Sequence, residues 1–548
     1  MLTMKKSIKK FSVPVIVTLL VGCFFVSCYP LSTDAMKWRI KWDPLLKSGK
    51  SSYLADKVIN SEKQPNIILI VADDLGLNDV SCYGNTNVST PNMDTLAAEG
   101  VKCTQGYVTS PICAPSRCGI LTGRYQQRCG FETIQIESYP SNLIEFAAGK
   151  YKSQKDSTWV IATKPHYPSE WQIAKQGVPP SEITLAELLK KYNYNTGIIG
   201  KWHLGNNPKI NIPNKRGFDY QFGCYNAFTL YADNENEPGI VNYKREAFES
   251  KYQWNMARKD MAVIYENNKI IKHERQYLTD AIRDKSLHFI EENKDKPFFL
   301  YVPFTAPHEP YQAQVDLYNK EFKKTNDKGK AVYRAIVTSM DNAIGAINRK
   351  IKDLNLEDNT LIILLSDNGP AAYTKVTNAE PLKGGKITQF EGGIKVPFIF
   401  KWKNHLQDNM SYNEPIISLD IFSTVAAICK VDLPRDRLFD GVNLIPYFNG
   451  EIKGIPHDKL FWRADHIHAV RKNDYKLIFS TRDKWLELYN LKTDPGEKNN
   501  LSLLLPEKVK ELKFELEVWE HNLPKKPLWP RIMDHRFIID GKEYLFPA

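Results

Sequence analysis

The chain has 548 residues (63.0 kDa), of which 42% are hydrophobic and 25% charged, a globular composition that excludes a disordered chain, a collagen and a coiled coil. At ~100–200 residues per domain the length allows a few domains, or one large α/β domain with a smaller companion, and it suffices to bury a sizeable core. The formal net charge of +11 is mild: it suits an anionic substrate, and without a basic stripe interleaved with aromatics it does not point to nucleic acid.

The first predicted element is an export signal over residues 1–28. Lys5, Lys6, Lys9 and Lys10 form a positive start, residues 11–21 are mostly apolar, and small residues precede a cysteine. The apolar run is too short to span a bilayer, which takes ~20 residues. Leu20-Val21-Gly22-Cys23 is similar to a bacterial lipobox, and Val26-Ser27-Cys28 is a second candidate; a plain cleaved signal is the other reading. A periplasmic or outer-membrane lipoprotein is expected, with a lipid anchor as its membrane link. Residues 29–63, polar and mixed, are expected to be a tether or leader.

Residues 64–440 carry the pattern of a large α/β domain. Asn66–Ala72 is a nearly continuous apolar run, as in strands buried on both faces of a parallel sheet. Thr196–Gly200, Pro297–Val302 and Leu361–Leu365 repeat it, with helical patterns at Ile183–Tyr192, Leu278–Asn293 and Ala331–Leu354 between them. The alternation predicts a large mixed, mostly parallel sheet flanked by helices. Each apolar run leads into polar residues: Asp73-Asp74, Lys201-Trp202-His203, His308 after a short turn, and Ser366-Asp367-Asn368. Ligands in such sheets bind at the carboxyl ends of strands, so the four runs bring reactive groups to one edge. Residues 441–548 are expected to form a smaller subdomain. Its short alternating runs at Lys459–Arg463, Ile467–Arg471, Tyr475–Ser480 and Trp485–Leu491 predict an antiparallel sheet, followed by a helix near Pro506–His521.

The nine cysteines include no C-x-x-C pair, so a zinc knuckle is not expected. Export permits disulfides, and Cys82–Cys103 or Cys118–Cys129 pairs remain open beside buried free thiols. Cys113-Ala-Pro-Ser-Arg117, continuing Cys118-Gly-Ile-Leu-Thr-Gly-Arg124, is the most specific string. Pro115 suits a first helical turn, which puts Cys113 at a helix amino terminus, where anions are favoured and a thiol pKa is lowered, with Arg117 close by.

This string resembles the signature of the type I sulfatases of the alkaline phosphatase superfamily. The likeness spans roughly residues 65–500 and includes Asp73-Asp74, Thr90-Pro-Asn-Met-Asp94, Gly200-Lys-Trp-His-Leu-Gly205, Arg216-Gly-Phe-Asp219, Thr305-Ala-Pro-His308, Ser366-Asp-Asn-Gly369, Gly384-Gly-Lys386 with Glu391-Gly-Gly393, and Leu488–Pro495. The resemblance implies an alkaline phosphatase-like fold and conversion of Cys113 to Cα-formylglycine (3-oxoalanine) by a formylglycine-generating or anaerobic sulfatase-maturing enzyme. The hydrated aldehyde would attack sulfur, release the alcohol, and then expel sulfate by C–O cleavage. Asp73, Asp74, Asp367 and Asn368, with the modified Cys113, would hold a divalent cation; an oxygen-only set favours Ca²⁺, with Mg²⁺ second. Arg117, Lys201 and Lys386 would stabilise charge on the sulfate. By the same analogy His203 helps to expel sulfate, and His308, with or without Lys386, protonates the leaving alcohol.

Lys383 is expected to be a surface charge, Trp202 to pack, and Gly119, Gly123 and Gly205 to meet backbone requirements. The Tyr-, Trp-, Lys- and Asn-rich stretches 133–177 and 226–271 are candidates for the mouth of the site, as are His466, His468 and Arg471. The expected function is an exported sulfatase acting on a sulfated carbohydrate such as a glycosaminoglycan, mucin or algal glycan. The alternatives are a formylglycine-dependent phosphodiesterase or phosphonate monoester hydrolase and, in another class, a non-catalytic glycan-binding lipoprotein.

Overall fold

Asn66–Ala72 forms the central strand because all seven of its residues are buried. The computed structural model describes residues 38–58, 63–84, 88–135, 151, 158–161, 170–259 and 262–548. The export signal, both lipobox cysteines and much of 133–177 lie outside these residues.

In chain order the strands of the main sheet are β1 (Asn66–Ala72), β2 (Val101–Cys103), β3 (Asn195–Ile199), β4 (Tyr220–Cys224), β5 (Ile264–Glu266), β6 (Lys269–Ile271), β7 (Phe298–Pro303), β8 (Thr360–Ser366), β9 (Phe398–Lys401) and β10 (Met410–Tyr412). They form one ten-stranded sheet in the order β10-β2-β9-β8-β1-β7-β3-β4-β5-β6. The central strands β8, β1, β7, β3 and β4 are mutually parallel, whereas β9 and β5 join antiparallel on either side. This is the expected mixed, mostly parallel sheet.

Successive side chains of β1 enter different cores, as the two-residue period of a strand requires. Ile67, Leu69 and Val71 pack with the helices α3 (Cys113–Thr122), α4 (Leu185–Lys191) and α7 (Asp420–Ile428), through Ile120, Leu188 and Phe422 among others. Ile68, Ile70 and Ala72 pack with α2 (Pro91–Ala98), α5 (Leu278–Asn293) and α6 (Lys328–Asp353), through Met93, Ile282 and Ile336. Helices on both faces leave the strand ends as the place where polar residues gather.

The C-terminal sheet is antiparallel as expected, with β11 (Lys459–Ala464), β12 (Ile467–Lys472), β13 (Tyr475–Ser480) and β14 (Leu486–Asn490) in sequence order. Leu512 and Leu516 of α8 (Pro506–His521) cover Val470, Leu477 and Leu488. Leu444 and Phe448, assigned from sequence to the C-terminal part, belong to the main core, where Phe448 meets Phe400 edge-on at 5.1 Å. The sequence reading missed a hairpin, β15 (Met533–Ile539) with β16 (Lys542–Pro547), turned at Asp540-Gly541, both with positive φ. Asp-Gly between alternating runs is a strong hairpin signal. Strand β15 also pairs with Trp159–Ile161, far away in sequence. Cys82, Cys103, Cys118 and Cys129 are free thiols; Cys103 and Cys118 are buried, whereas Cys82 and Cys129 are half-buried.

The expected tether is folded over residues 38–58. Asp43 caps α1 (Pro44–Tyr53) by accepting from the Leu45 and Leu46 amides, and Ile40 sits in the main core. Lys50 Nζ reaches Glu187 Oε1 at 2.6 Å and the Glu182 carbonyl at 2.8 Å. Burial raises the Glu187 pKa, but Arg216 and Lys50 outweigh it and bring it down to about 2. Lys50 is itself pushed down to about 8 by burial and by Arg216, and of the two cations Arg216 pulls harder on the Glu187 carboxyl.

A carboxyl with a folded pKa below its unfolded value stabilises the fold above the unfolded pKa, and that stabilisation is lost as pH falls through the folded one. Glu187 therefore contributes on the order of 3 kcal/mol at neutral pH. In urea titrations Glu187→Gln is expected to be less stable at pH 7, with the difference from the parent shrinking between pH 4.5 and about 2. A difference independent of pH would show that Glu187 is not held as an ion.

Candidate active site

The four parallel strands predicted to feed the site do so. Asp73 and Asp74 follow β1, Lys201 and His203 follow β3, His308 lies in the turn after β7, and Asp367 and Asn368 follow β8. Asp74 and His203 both have left-handed backbone conformations (φ 68° and 53°), which non-glycine residues adopt at a cost and which turn their side chains sharply at the strand ends. A side chain at Gly200 would put its Cβ 1.9 Å from the Pro303 carbonyl, so glycine lets the ends of β3 and β7 close up, sealed by Lys201 N–H donating to that carbonyl at 2.7 Å. Gly123 ends α3 with φ 65°, against Phe422.

Cys113 is the first residue of α3, after an extended Ile112. Its thiol donates to Asp73 Oδ1 at 3.2 Å and lies 3.7 Å from Asp74 Oδ1. The thiol pKa is not lowered, as the helix terminus alone suggested. Burial, then Asp367 and Asp73, push it well above its ordinary value. Two carboxylates this close outweigh a partial helix charge, and the unmodified thiol is a donor rather than a nucleophile.

Arg117, one helical turn on, faces the same way. Its Nε and one terminal nitrogen both sit 2.7 Å from Asp367 Oδ2, that terminal nitrogen lies 3.7 Å from Asp73 Oδ1, and the other donates to the Lys201 carbonyl at 3.1 Å. Lys201 Nζ is 2.5 Å from Asp73 Oδ2, and Lys386 Nζ is 2.8 Å from Asp74 Oδ2. His308 donates from Nδ1 to the Glu309 carbonyl and turns Nε2 to Asp74 Oδ2 at 3.6 Å. All of these groups are buried. Three carboxyl groups thus face two lysine amines and a guanidinium, all buried from bulk solvent.

Burial opposes ionisation of Asp73, but Lys201, His308 and Arg117 hold its pKa well below the usual carboxylate range. Burial pushes Asp367 up to about 6 against the pull of Arg117. Burial also opposes the charge on Lys386, and Asp74 more than restores it, so this ammonium is held well above its ordinary pKa. His203 is driven well below its ordinary value by burial, Lys201 and Arg117, and His308 to about 4 by burial and Lys386. Both imidazoles are therefore neutral at neutral pH and Lys386 is protonated.

The donor set fits a hard cation. Ligating atoms of Asp73, Asp74, Cys113 and His308 lie within 4.8 Å of one another. Asn368 donates from Nδ2 to Asp74 Oδ1 at 2.7 Å, while its buried Oδ1 has no hydrogen-bond partner, an acceptor that a cation would satisfy. Asp367 turns Oδ2 to Arg117 and accepts the Asp74 amide on Oδ1 at 3.3 Å. His308 Nε2 approaches the cluster more closely than its sequence position indicated.

Lys383 departs from expectation. It is a buried ammonium 3.0 Å from the Tyr489 hydroxyl and 3.4 Å from Glu487 and the Tyr544 hydroxyl, 4.4 Å above the Phe390 ring. It anchors the loop that carries Lys386 to β14 and β16, while Ile387 N–H donates to the Pro111 carbonyl at 2.8 Å and ties that loop to the Cys113 turn. Trp202 packs as expected, edge-on to Phe218.

The 226–271 stretch braces the His308 turn. Tyr231 donates to the Thr305 and His308 carbonyls at 3.0 and 2.9 Å, and Arg245 pairs with Glu309 at 2.6 Å. Nothing in sequence beyond aromatic richness marks Tyr231. His466, His468 and Arg471 are engaged elsewhere: with Asp483 and the Leu545 carbonyl, with Glu520, and with the Tyr107 hydroxyl, respectively.

Residues 65–431 match the family model described as Sulfatase, and residues 385–520 match one described as N-sulphoglucosamine sulphohydrolase, C-terminal. A human N-acetylgalactosamine-6-sulfatase is 33% identical over 423 residues, covering 76% of this chain and 72% of that protein. A Bacteroides thetaiotaomicron N-acetylgalactosamine-6-O-sulfatase is 30% identical over 526 residues, covering 84% and 93%. The crystal structure of Ps i-CgsB superposes with a TM-score of 0.69 at 30% identity, over 84% of this chain and 94% of that one, and has a counterpart in complex with k-i-k-neocarrahexaose at 29% identity.

Proposed function

As a member of the sulfatase family this chain hydrolyses sulfate esters, and we propose that its substrate is a sulfated carbohydrate, attacked through a formylglycine made from Cys113 beside a bound Ca²⁺. The observation that carries this reading is the Cys113 side chain at the start of α3, 3.2 Å from Asp73, with Arg117 one turn behind it. The matches to galactosamine-6-sulfatases and to a structure holding a neocarrahexaose support the carbohydrate class.

Hydrated formylglycine supplies a paired-hydroxyl nucleophile where the thiol itself is inert. Asp73, Asp74, Asp367, Asn368 and position 113 would hold a divalent cation, which when bound would supply positive charge to the sulfate and favour an ionised nucleophile. Arg117, Lys201 and Lys386 give the sulfate oxygens a fixed positive surround, in place before charge develops. Lys386 Nζ holds the proton for the leaving oxygen. His308, fixed through Nδ1, offers Nε2 as the acceptor that aligns it. His203, neutral and buried with Nδ1 unpartnered, takes the proton whose loss expels sulfate. Export as a lipoprotein through Cys23 or Cys28 would meet such a substrate outside the cytoplasm, after a maturation enzyme has read Cys113-Ala-Pro-Ser-Arg117.

The reading is tested on protein from its native host. The peptide containing position 113 is expected to be about 18 Da lighter than cysteine predicts, from loss of CH₂SH for CHO, and defined sulfated mono- and disaccharides are expected to release sulfate. Turnover of phosphate esters alone would replace this function with that of a phosphoester or phosphonate hydrolase. An unmodified thiol without turnover would favour a glycan-binding protein.

A further inference from the structure

Beyond the carboxyl end of α3, at the opposite end from Cys113, the docked segment 38–46, the turn at 128–130 and residues 524–528 enclose a cavity of about 770 Å³. A ten-residue helix is ~15 Å long, so the length of α3 separates the Arg128 side of this cavity from Cys113, while Pro179 in its wall follows Val178, whose N–H donates to the Leu204 carbonyl. Its volume lies within the ~300–1,000 Å³ of small-molecule sites.

The lining has two chemical parts. Trp38 and Trp42 are half-buried indoles. Trp38 is fixed by Nε1 donating to the Leu528 carbonyl at 2.6 Å, whereas Trp42 Nε1 is buried without a partner. Arg39, Lys41 and Lys526 are exposed and form no ion pair among the described residues. The other charged groups in the wall are committed: Arg128 pairs with Asp440 at 2.5 Å, Glu182 with Arg124 at 3.0 Å, and Asp43 accepts the Leu45 and Leu46 amides. Aromatic faces, that of Trp42 with Lys175 Nζ 5.6 Å from its ring centre, beside three exposed cations suit a ligand with apolar ring faces and strong anions at its edges.

We propose that this cavity is a second glycan site, which binds a stretch of a sulfated polysaccharide away from the Cys113 cluster and keeps the polymer on the enzyme between turnovers. This rests on the carbohydrate reading above. Indole faces would cover sugar rings, Trp42 Nε1 would donate to a hydroxyl, and the three cations would pair with sulfate groups. Holding a polymer at two points raises its apparent affinity without any new contact at the catalytic cluster, so the effect is confined to long substrates and weakens with salt.

The test compares the matured chain with its Arg39→Ala/Lys41→Ala/Lys526→Ala variant, three exposed changes far from the catalytic residues, and with Trp42→Phe, which keeps the ring but removes the indole donor. Binding of chondroitin sulfate and κ-carrageenan chains is followed by gel retardation, and KM is measured on a polymer and on a monosaccharide sulfate. The triple variant is expected to bind the chains on the order of 10-fold more weakly at low salt. The deficit should shrink at high salt, with kcat and KM on the monosaccharide unchanged. Trp42→Phe should weaken binding with little salt dependence. Unchanged polymer binding in both variants, a parallel loss on the monosaccharide, or equally tight binding of chemically desulfated chains would overturn the site. If the chain retards sulfated polymers through these residues yet desulfates no carbohydrate, the cavity stands and the substrate reading falls. Polymer desulfation with an unaltered KM in the variants gives the reverse.

Discussion

Cys113→Ala is expected to lose at least ~10⁴-fold in sulfate-ester turnover while keeping its fold. The loss follows from chemistry: alanine cannot become an aldehyde, and among the described residues Cys113 is the side chain whose thiol hydrogen-bonds Asp73 and Asp74. Retention of the fold follows from packing. The Cys113 side chain bonds only the two carboxylates, whereas α3 is held by Ala114, Cys118, Ile120 and Leu121 in the main core and ended by Gly123. Removing one buried sulfur costs ~1 kcal/mol, a small part of the stability of such a domain. Sulfate release and urea unfolding measured on the same preparation check both halves. Turnover near the parent level would exclude position 113 as the attacking group, and a collapsed unfolding midpoint would show that the thiol is structural.

Arg117→Met is expected to damage activity and stability together. Its guanidinium sits 2.7 Å from Asp367 Oδ2 with both side chains wholly enclosed. Taking away one member of such a pair leaves a carboxylate without compensation in a medium that cannot solvate it, a cost of ~3–5 kcal/mol. Catalysis should fall by a further ~10²–10³-fold, because a donor aimed at the reacting anion is gone. The double variant Arg117→Met/Asp367→Asn separates the two effects: removing the orphaned charge should restore most of the stability and none of the turnover. Unfolding free energy and kcat/KM for parent, single and double variants complete the measurement. A single variant as stable as the parent would mean that the pair is not what holds these charges in the interior.

The candidate site was legible to the extent that it follows from strand ends. Asp73, Lys201, His308 and Asp367 come directly after, or one turn beyond, apolar runs, and parallel strands must deliver such residues to one edge. Lys383 and Lys386 show where that logic stops. Three residues apart in a glycine-rich loop, they look interchangeable, yet Lys386 reaches Asp74 while Lys383 is drawn under Tyr489 and Tyr544. The partners of Lys383 lie on β14 and β16, more than a hundred residues downstream, and no local pattern points to them. The Cys113 thiol gives the same lesson in electrostatics. A helix amino terminus lowers a thiol pKa, but burial and two carboxylates from other strands raise it further than the helix can lower it.

Apolar period was enough to establish an α/β sheet, the strand ends that carry reactive groups and the antiparallel C-terminal sheet, and the resemblance of the Cys113 string to a known signature pointed to the sulfatase family, because these depend on neighbours along the chain. Folding alone set the docking of residues 38–58 through Lys50 and Glu187, the pairing of β15 with Trp159–Ile161, the burial of Lys383 and the direction in which the Cys113 thiol is shifted. Those outcomes depend on which charges and rings come within a few ångströms after distant segments pack, and Coulomb and desolvation energies change too steeply with distance and burial for sequence separation to stand in for them.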